Sequence, residues 1–172
     1  MQATFPPFAR PKFGLMTAPR TIRAAEEVVP KLGVKPGLPA LRVGGTRTYD
    51  RPIEHLAGQL DVVDLRLPLR ARDGRYGLVL CFALAECDPR LLGREVVRAA
   101  HPDGAIWVVV WKKGHLLAGA PSWEQVQEAV LATGWVDNKV LSLGEQVYAT
   151  RYVRRRRPGK PALREPKPPP GR

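Results

Sequence analysis

The stretch Tyr76–Leu84, YGLVLCFAL, is an almost continuous apolar run, and it is followed closely by Asp88-Pro89. Such a run is typical of a strand in the middle of a parallel sheet, because helices cover both faces of that strand. Asp88-Pro89 predicts the start of a helix, since aspartate caps a first turn well and proline fits the first helical position. A buried strand that leads into a helix indicates an α/β domain.

Three further elements are predicted downstream of this pair. Ala105–Trp111, AIWVVVW, has the composition of a second buried strand. Ser122 and Gln125 have the spacing of a capping box, which predicts that a helix begins there. The last two apolar stretches, residues 136–143 and 147–155, are joined by a short link around a glycine. A link of that length predicts an antiparallel pair of strands.

The same alternation continues upstream. The predicted elements there are a helix capped by Thr21 and ended by Gly33, a strand over Leu38–Val43, a short helix over residues 51–57 and a strand over Asp61–Leu67. Strands that alternate with helices predict parallel pairing through right-handed crossovers.

The order of these elements resembles that of the class I methyltransferases. Residues 34–45 (VKPGLPALRVGG), 75–84 (RYGLVLCFAL) and 99–113 (AAHPDGAIWVVVWKK) carry the likeness. The resemblance implies a three-layer, Rossmann-like α/β sandwich with a mostly parallel sheet and a C-terminal antiparallel hairpin. Residues 31–43, 102–113 and 132–155 together also resemble a narrower bacterial family, domain of unknown function 3052. That family has a methyltransferase-like Rossmann fold and no established activity.

The resemblance implies a cofactor site at Gly44, Gly45 and Asp64. In this fold, glycines after the first strand let the backbone approach the cofactor, and an acid ending the second strand binds its ribose. The loop here, RVGGTRTYD, has no G-x-G-x-x-G pattern, and Asp64 could equally be a strand residue that faces solvent. We therefore predict that the domain has no cofactor, with S-adenosylmethionine bound at these three residues as the alternative.

No set of residues with catalytic spacing is recognisable. His55, His101 and His115 are scattered and lack metal-ligand spacing. The segment AECDP lacks the Asn/Asp-Pro-Pro-aromatic signature of amino-group methylation. Cys81 and Cys87 fit no redox or zinc motif and are interpreted as free thiols of a cytoplasmic protein. These observations favour a domain without catalytic residues or metal, although a divergent methyltransferase stays the alternative.

A second candidate site would bind an anion. Lys112 and Lys113 directly follow the strand AIWVVVW, and Arg47 follows the glycine pair. Ligands bind at the carboxyl edge of open α/β sheets, so these three residues are candidates for an anion site. The alternative for the two lysines is a solvated pair at the end of a strand.

The formal charge of +12 is distributed unevenly along the chain. Between Ala24 and Thr150, 15 basic residues balance 15 acidic ones, so the excess lies at the two Pro-rich ends. We predict an N-terminal arm over residues 1–20, the α/β domain over 21–155 and a disordered tail over 156–172. Prolines interrupt the N-terminal apolar residues, so we expect neither a signal peptide nor a membrane span.

The C-terminal tail carries the candidate residues for a macromolecular partner. Arg154, Arg155, Arg156, Arg157 and Lys160 lie within seven positions. Arginine binds phosphate bidentately, and neutralised phosphates release counterions, which favours binding that is independent of sequence. The predicted function is therefore a non-catalytic methyltransferase-like domain whose tail contacts nucleic acid or the ribosome. A tail that only improves solubility is the alternative.

Overall fold

The structure, a computed structural model, describes residues 25–45 and 60–155. The helices within these ranges are α1 (Ala25–Leu32), α2 (Pro89–Ala99) and α3 (Trp123–Leu131), and a short 3-10 helix covers Lys113–His115. The strands are β1 (Ala40–Val43), β2 (Leu60–Val63), β3 (Tyr76–Phe82), β4 (Ala100–Trp111), β5 (Trp135–Ser142) and β6 (Val147–Arg154). The predicted arm, the predicted helix over 51–57 and the tail beyond residue 155 lie outside the described residues.

The strands form one six-stranded sheet in the order β2-β1-β3-β4-β6-β5. The first four strands of that order are parallel, and β6 runs antiparallel to both of its neighbours. This arrangement confirms the predicted α/β fold with a mostly parallel sheet and a C-terminal antiparallel hairpin.

Helices cover both faces of the sheet, as the apolar runs predicted. On one face, Val28 and Leu32 of α1 belong to a buried cluster with Trp107 of β4. On the other face, Leu92 of α2 and Val126 of α3 belong to a second cluster, packed against the alternate residues of the same strands. All seven residues of β3 are buried, because each face of this central strand is covered by helices.

The predicted starts of α2 and α3 are confirmed. The Asp88 carboxylate accepts a hydrogen bond from the backbone N–H of Arg90 at 2.9 Å. Ser122 and Gln125 form the reciprocal capping box, in which each side chain bonds the backbone of the other. Each cap satisfies backbone donors that a first helical turn leaves unpaired. No helix within the described ranges is long and apolar enough to cross a membrane.

The end of β2 and the start of β4 differ from the prediction, because each is determined by the strand that pairs with it. The second strand was expected to reach Leu67, but β2 ends at Val63, which pairs with Val43, the last residue of β1. Without a neighbour beyond that point, the following residues leave the sheet. Conversely, β4 begins at Ala100, which pairs with Tyr76, before the predicted turn. Residues 101–104 then leave the ladder as a bulge, and regular pairing resumes at Ala105.

The order of the strands reverses direction at β1, which lies between β2 and β3. The chain passes from β1 to β2 on one side of β1, and it later adds β3 and β4 on the other side. In an open α/β sheet, a reversal of this kind opens a crevice at the carboxyl ends of the strands. The residues that follow β1, β2 and β3 therefore border the expected ligand crevice.

Candidate functional site

The turn after β1 requires glycine. Gly44 has a φ of +62° and Gly45 a φ of +119°, both in the region that side chains with a Cβ rarely adopt. The backbone N–H of Gly44 donates to the carbonyl oxygen of Val63 at 2.8 Å. This bond fastens the start of the turn to the last residue of β2, so the ends of the two strands meet.

Gly44 is also closely surrounded. A Cβ placed on this residue would lie 3.1 Å from the Cβ of Leu65 and 3.3 Å from the carbonyl oxygen of Phe82, the last residue of β3. The backbone of the turn therefore passes between the ends of β2 and β3 at a distance that only glycine allows. The atoms that exclude a Cβ here belong to the protein itself, so Gly44 is required for the packing of the turn against the ends of these strands.

Asp64 lies at the same edge. It directly follows Val63, the residue that accepts the Gly44 hydrogen bond, and it is exposed to solvent. An open cavity of about 660 Å³ borders Asp64 together with Arg66 and Arg70. The structure thus brings two of the predicted cofactor residues, Gly44 and Asp64, to one corner of the sheet, with Gly45 next in the turn. An exposed carboxylate in this position can accept hydrogen bonds from ligand hydroxyls.

Of the three residues predicted to form an anion site, the structure describes Lys112 and Lys113, and these two have different surroundings. The Lys112 ammonium donates to the carbonyl oxygen of Gly144 at 3.0 Å and lies 3.5 Å from the Ser142 hydroxyl, so it ties β4 to the turn between β5 and β6. Lys113 is exposed at the start of the 3-10 helix. Arg47 lies outside the described residues. Because β3 separates β1 from β4, the ends of these two strands are about 10 Å apart.

Sequence reasoning assigned no binding role to a group of residues that follow the carboxyl ends of β3 and β4. Glu86 is exposed after the end of β3, and a Cβ placed on Gly119 would lie 3.1 Å from the Glu86 side chain. The segment that follows β4 therefore returns to the end of β3, and it exposes Leu116 and Leu117 by 43% and 51%. The available signal was positional, since Glu86 and this segment follow adjacent parallel strands.

The two cysteines near this edge are free thiols whose pKa values are raised by burial. Burial and the neighbouring Asp88 carboxylate raise the pKa of the Cys87 thiol to about 11. Burial also raises the pKa of Cys81, which is fully enclosed in β3. Both thiols are free and stay protonated at neutral pH, when they are poor nucleophiles. Within residues 25–45 and 60–155, no three histidine, cysteine or acidic side chains are grouped so that they could hold a metal ion.

The predicted nucleic-acid residues are only partly described. Arg154 is the last residue of β6 and Arg155 follows it, so both belong to the folded domain. Arg156, Arg157 and Lys160 lie outside the described residues, and the nucleic-acid role of all five residues stays a prediction.

Comparison with solved structures identifies the fold. The domain resembles a geranyl diphosphate C-methyltransferase from Streptomyces coelicolor, solved with S-adenosyl-L-homocysteine, with a TM-score of 0.57 at 11% identity over 76% of this chain and 78% of that one. It resembles a putative type 11 methyltransferase from Sulfolobus solfataricus with a TM-score of 0.54 at 18% identity, over 81% and 97% of the two chains. A TehB-like SAM-dependent methyltransferase from Corynebacterium glutamicum gives a TM-score of 0.52 at 12% identity, over 77% and 88%.

Comparison by sequence gives no closer relative. No protein-family model matches the chain, so the resemblance to domain of unknown function 3052 has no support from a family match. No curated protein matches it either.

The structural neighbours correct one prediction. We expected no cofactor because the glycine loop lacks its usual pattern, but the Corynebacterium neighbour is named as a SAM-dependent methyltransferase, and the Streptomyces enzyme was solved with S-adenosyl-L-homocysteine. The missing pattern was therefore a poor reason to exclude a cofactor, because Gly44 makes the tight turn without the other glycines. The domain has the Rossmann-like fold of class I methyltransferases.

Proposed function

We propose that this domain is an S-adenosylmethionine-dependent methyltransferase with its cofactor site at the carboxyl ends of β1 and β2. The position of Gly44 is the observation that carries the proposal. It combines a positive φ with close contacts to both neighbouring strands, at the point where the sheet opens its crevice. The neighbours of known structure, which share the fold and are named as methyltransferases, support the same function.

In this proposal the described residues hold the cofactor by two kinds of contact. The turn at Gly44 and Gly45 lets the backbone come close to the cofactor, and the Asp64 carboxylate accepts hydrogen bonds from its ribose hydroxyls. S-adenosylmethionine supplies an electrophilic methyl group on a positively charged sulfur. Asp64 and Glu86 are exposed carboxylates at this edge, where they can pair with the positively charged groups of the cofactor.

The chain contributes mainly orientation to methyl transfer. Transfer requires the nucleophile of the acceptor to approach the methyl group in line, and holding both partners in that geometry lowers the barrier greatly. The exposed Leu116 and Leu117 lie in the segment that returns to the end of β3. In this position they provide an apolar surface for the acceptor.

Calorimetric titration tests the cofactor site. We expect wild-type protein to bind S-adenosylmethionine and S-adenosylhomocysteine, and Asp64→Asn to weaken both by about 10-fold to 100-fold, as loss of a charged hydrogen bond of about 1.5–3 kcal/mol implies. Asp137→Asn is the matched control, because Asp137 is an exposed aspartate on β5 at the other end of the sheet order. No binding by the wild-type protein at millimolar ligand, or equal binding by Asp64→Asn, would overturn the proposal.

A further inference from the structure

A second open cavity, of about 470 Å³, lies at the opposite end of the strands from the cofactor crevice. It borders the bulge at the start of β4 and the last residues of β6. Four of its lining residues are basic and only one is acidic, namely Lys35, Arg151, Arg154 and Arg155 against Asp103. None of these residues takes part in the proposed cofactor site.

Arg151 is the least exposed of the four basic residues in this cavity. It is half-buried on β6, and its Nη2 would lie 3.3 Å from a Cβ placed on Gly33, just after α1. Its Nη1 is 3.5 Å from the Asn138 amide oxygen, and its buried Nε has no hydrogen-bond partner. The guanidinium is therefore held in place beside α1, while the described residues use few of its five donors.

The other three cations surround this fixed guanidinium. Lys35, Arg154 and Arg155 are exposed at the cavity, and within the described part of the chain no carboxylate forms an ion pair with them or with Arg151. Four like charges around one concave surface create a positive potential that attracts an anion. The planar fork of each arginine matches the oxygens of a phosphate group.

We propose that this cavity binds the phosphate groups of a single-stranded nucleic acid. In the sequence, Arg155 is followed by Arg156, Arg157 and Lys160, so the basic run contains more residues than the two arginines Arg154 and Arg155 that line the cavity. Four basic residues around one open cavity, with further basic residues next in the sequence, match a chain of phosphates better than one small anion. Trp107, Trp111 and Trp135 are buried in the core, so they provide no surface on which bases could stack. The contacts are therefore to the backbone, and we expect little dependence on base sequence.

Fluorescence anisotropy with a labelled 20-nucleotide single-stranded RNA tests the cavity. We expect the double variant Arg154→Gln/Arg155→Gln to weaken binding at least 10-fold at low salt. The slope of log affinity against log salt should fall by about 1.4, since each lost phosphate contact on a single strand contributes about 0.7. The matched control is Arg90→Gln/Arg94→Gln, which removes two exposed arginines from α2 on the other face of the sheet. The control should bind RNA within 2-fold of wild type.

Arg151→Gln tests whether RNA binds in the cavity or only at the end of β6, where Arg154 and Arg155 lie. This variant should also weaken RNA binding, and a thermal melt will show whether it is folded. Should it not fold, the double variant above decides alone.

Two further arms identify the ligand and the residues that bind it. Inorganic phosphate should displace RNA only at high millimolar concentration, whereas an unlabelled oligonucleotide should displace it at micromolar concentration. The variant Arg156→Gln/Arg157→Gln/Lys160→Gln should retain part of the affinity.

Three outcomes overturn the proposal: no RNA binding by the wild type, wild-type affinity in Arg154→Gln/Arg155→Gln, or tight binding of inorganic phosphate alone. S-adenosylmethionine binding by the same double variant should be unchanged, so failure of this site is distinguishable from failure of the cofactor site.

Discussion

Glu95 is a buried carboxylate that holds the loop leading into β3. Its Oε2 accepts hydrogen bonds at 2.8 Å from the backbone N–H of Leu69 and at 2.8 Å from the Arg98 guanidinium. Arg98 also donates to the carbonyl oxygens of Leu69 and Ala71 and pairs with Asp73. The loop between β2 and β3 is therefore fastened to α2 through two side chains.

The Glu95 contacts predict a pH-dependent stability. The hydrogen bond from Arg98 lowers the pKa of Glu95, so its stabilisation is complete above the unfolded-state pKa of about 4.3 and is lost as the pH falls through the folded-state value. Glu95→Gln should lower the free energy of unfolding by about 1–3 kcal/mol at pH 7, and this difference should shrink at pH 3. Urea denaturation at the two pH values measures it. Glu128→Gln, at an exposed position of α3, should change little at either pH; an equal loss there would mean that Glu95 has no special role.

Replacing Gly44 should lower the stability of the domain both because of its positive φ and because of its close neighbours. Gly44→Ala should destabilise the domain by about 2–4 kcal/mol, because a Cβ meets both a left-handed φ and neighbours at 3.1 and 3.3 Å. Gly74 has nearly the same φ, +60°, with nothing within 4 Å, so Gly74→Ala should cost only about 1–2 kcal/mol. Chemical denaturation of both variants measures the difference, and equal losses would show that the turn is not closely packed.

At the scale of the elements, the contact between α2 and α3 depends on a glycine. A Cβ on Gly93 would lie 3.0 Å from the Cβ of Ala129 and 3.0 Å from its carbonyl carbon. The two helices therefore approach with almost no space between their backbones. In an exposed helix interior, alanine is more favourable than glycine by about 1 kcal/mol. Helix propensity and packing therefore make opposite predictions at this position.

We expect packing to decide the outcome for Gly93→Ala. Forcing a methyl group into a filled contact costs about 1–3 kcal/mol, which exceeds the propensity gain, so the variant should have a lower melting temperature. Gly114→Ala is the control, since nothing lies within 4 Å of a Cβ at that position, and it should be close to neutral. A melting temperature of Gly93→Ala above that of wild type would mean that α2 and α3 can separate at small cost.

The elements also show which features the sequence can predict. Helix starts depend on nearby residues, so Asp88 and the pair Ser122 and Gln125 were sufficient to predict them. The end of β2 depends on where β1 ends, and a local pattern contains no information about that partner. The alternation of elements predicted parallel pairing, whereas the resemblance to class I methyltransferases implied that Gly44 and Asp64 lie at one edge.

The basic cavity could not be predicted in the same way. Lys35 and Arg151 are more than 100 positions apart in the sequence. They line one cavity because β6 pairs with β4 and the Arg151 side chain lies on the face of the sheet that α1 covers. Counting charge along the chain assigned the positive excess to the two ends. The structure shows that Arg151, Arg154 and Arg155, at the start of the C-terminal basic region, border a cavity of the folded domain.

At the scale of the whole molecule, the two proposed sites lie at opposite ends of the sheet: one follows the carboxyl ends of β1 and β2, and the other borders the start of β4 and the end of β6. Gly104 borders the basic cavity at the start of the regular β4 ladder, and Lys112 follows the end of that strand. The seven residues from Ala105 to Trp111 span about 20 Å at 3.3 Å per residue. At physiological salt the Debye length is about 8 Å, so the charge of a ligand at one end has little effect at the other.

This separation predicts that the two ligands bind independently. The affinity for S-adenosylmethionine, measured by calorimetry, should change less than 2-fold when saturating single-stranded RNA is present, because sites this far apart without shared partners contribute additively. Linkage requires the reciprocal result, so S-adenosylmethionine should leave RNA affinity unchanged to the same extent. A change of 5-fold or more, equal to about 1 kcal/mol, would mean that one ligand reaches both ends of the sheet or that binding at one end alters the strands between them. An RNA that enters the cofactor crevice as the methyl acceptor would cause such a change. In that case Arg154→Gln/Arg155→Gln would weaken both the binding of RNA and its methylation.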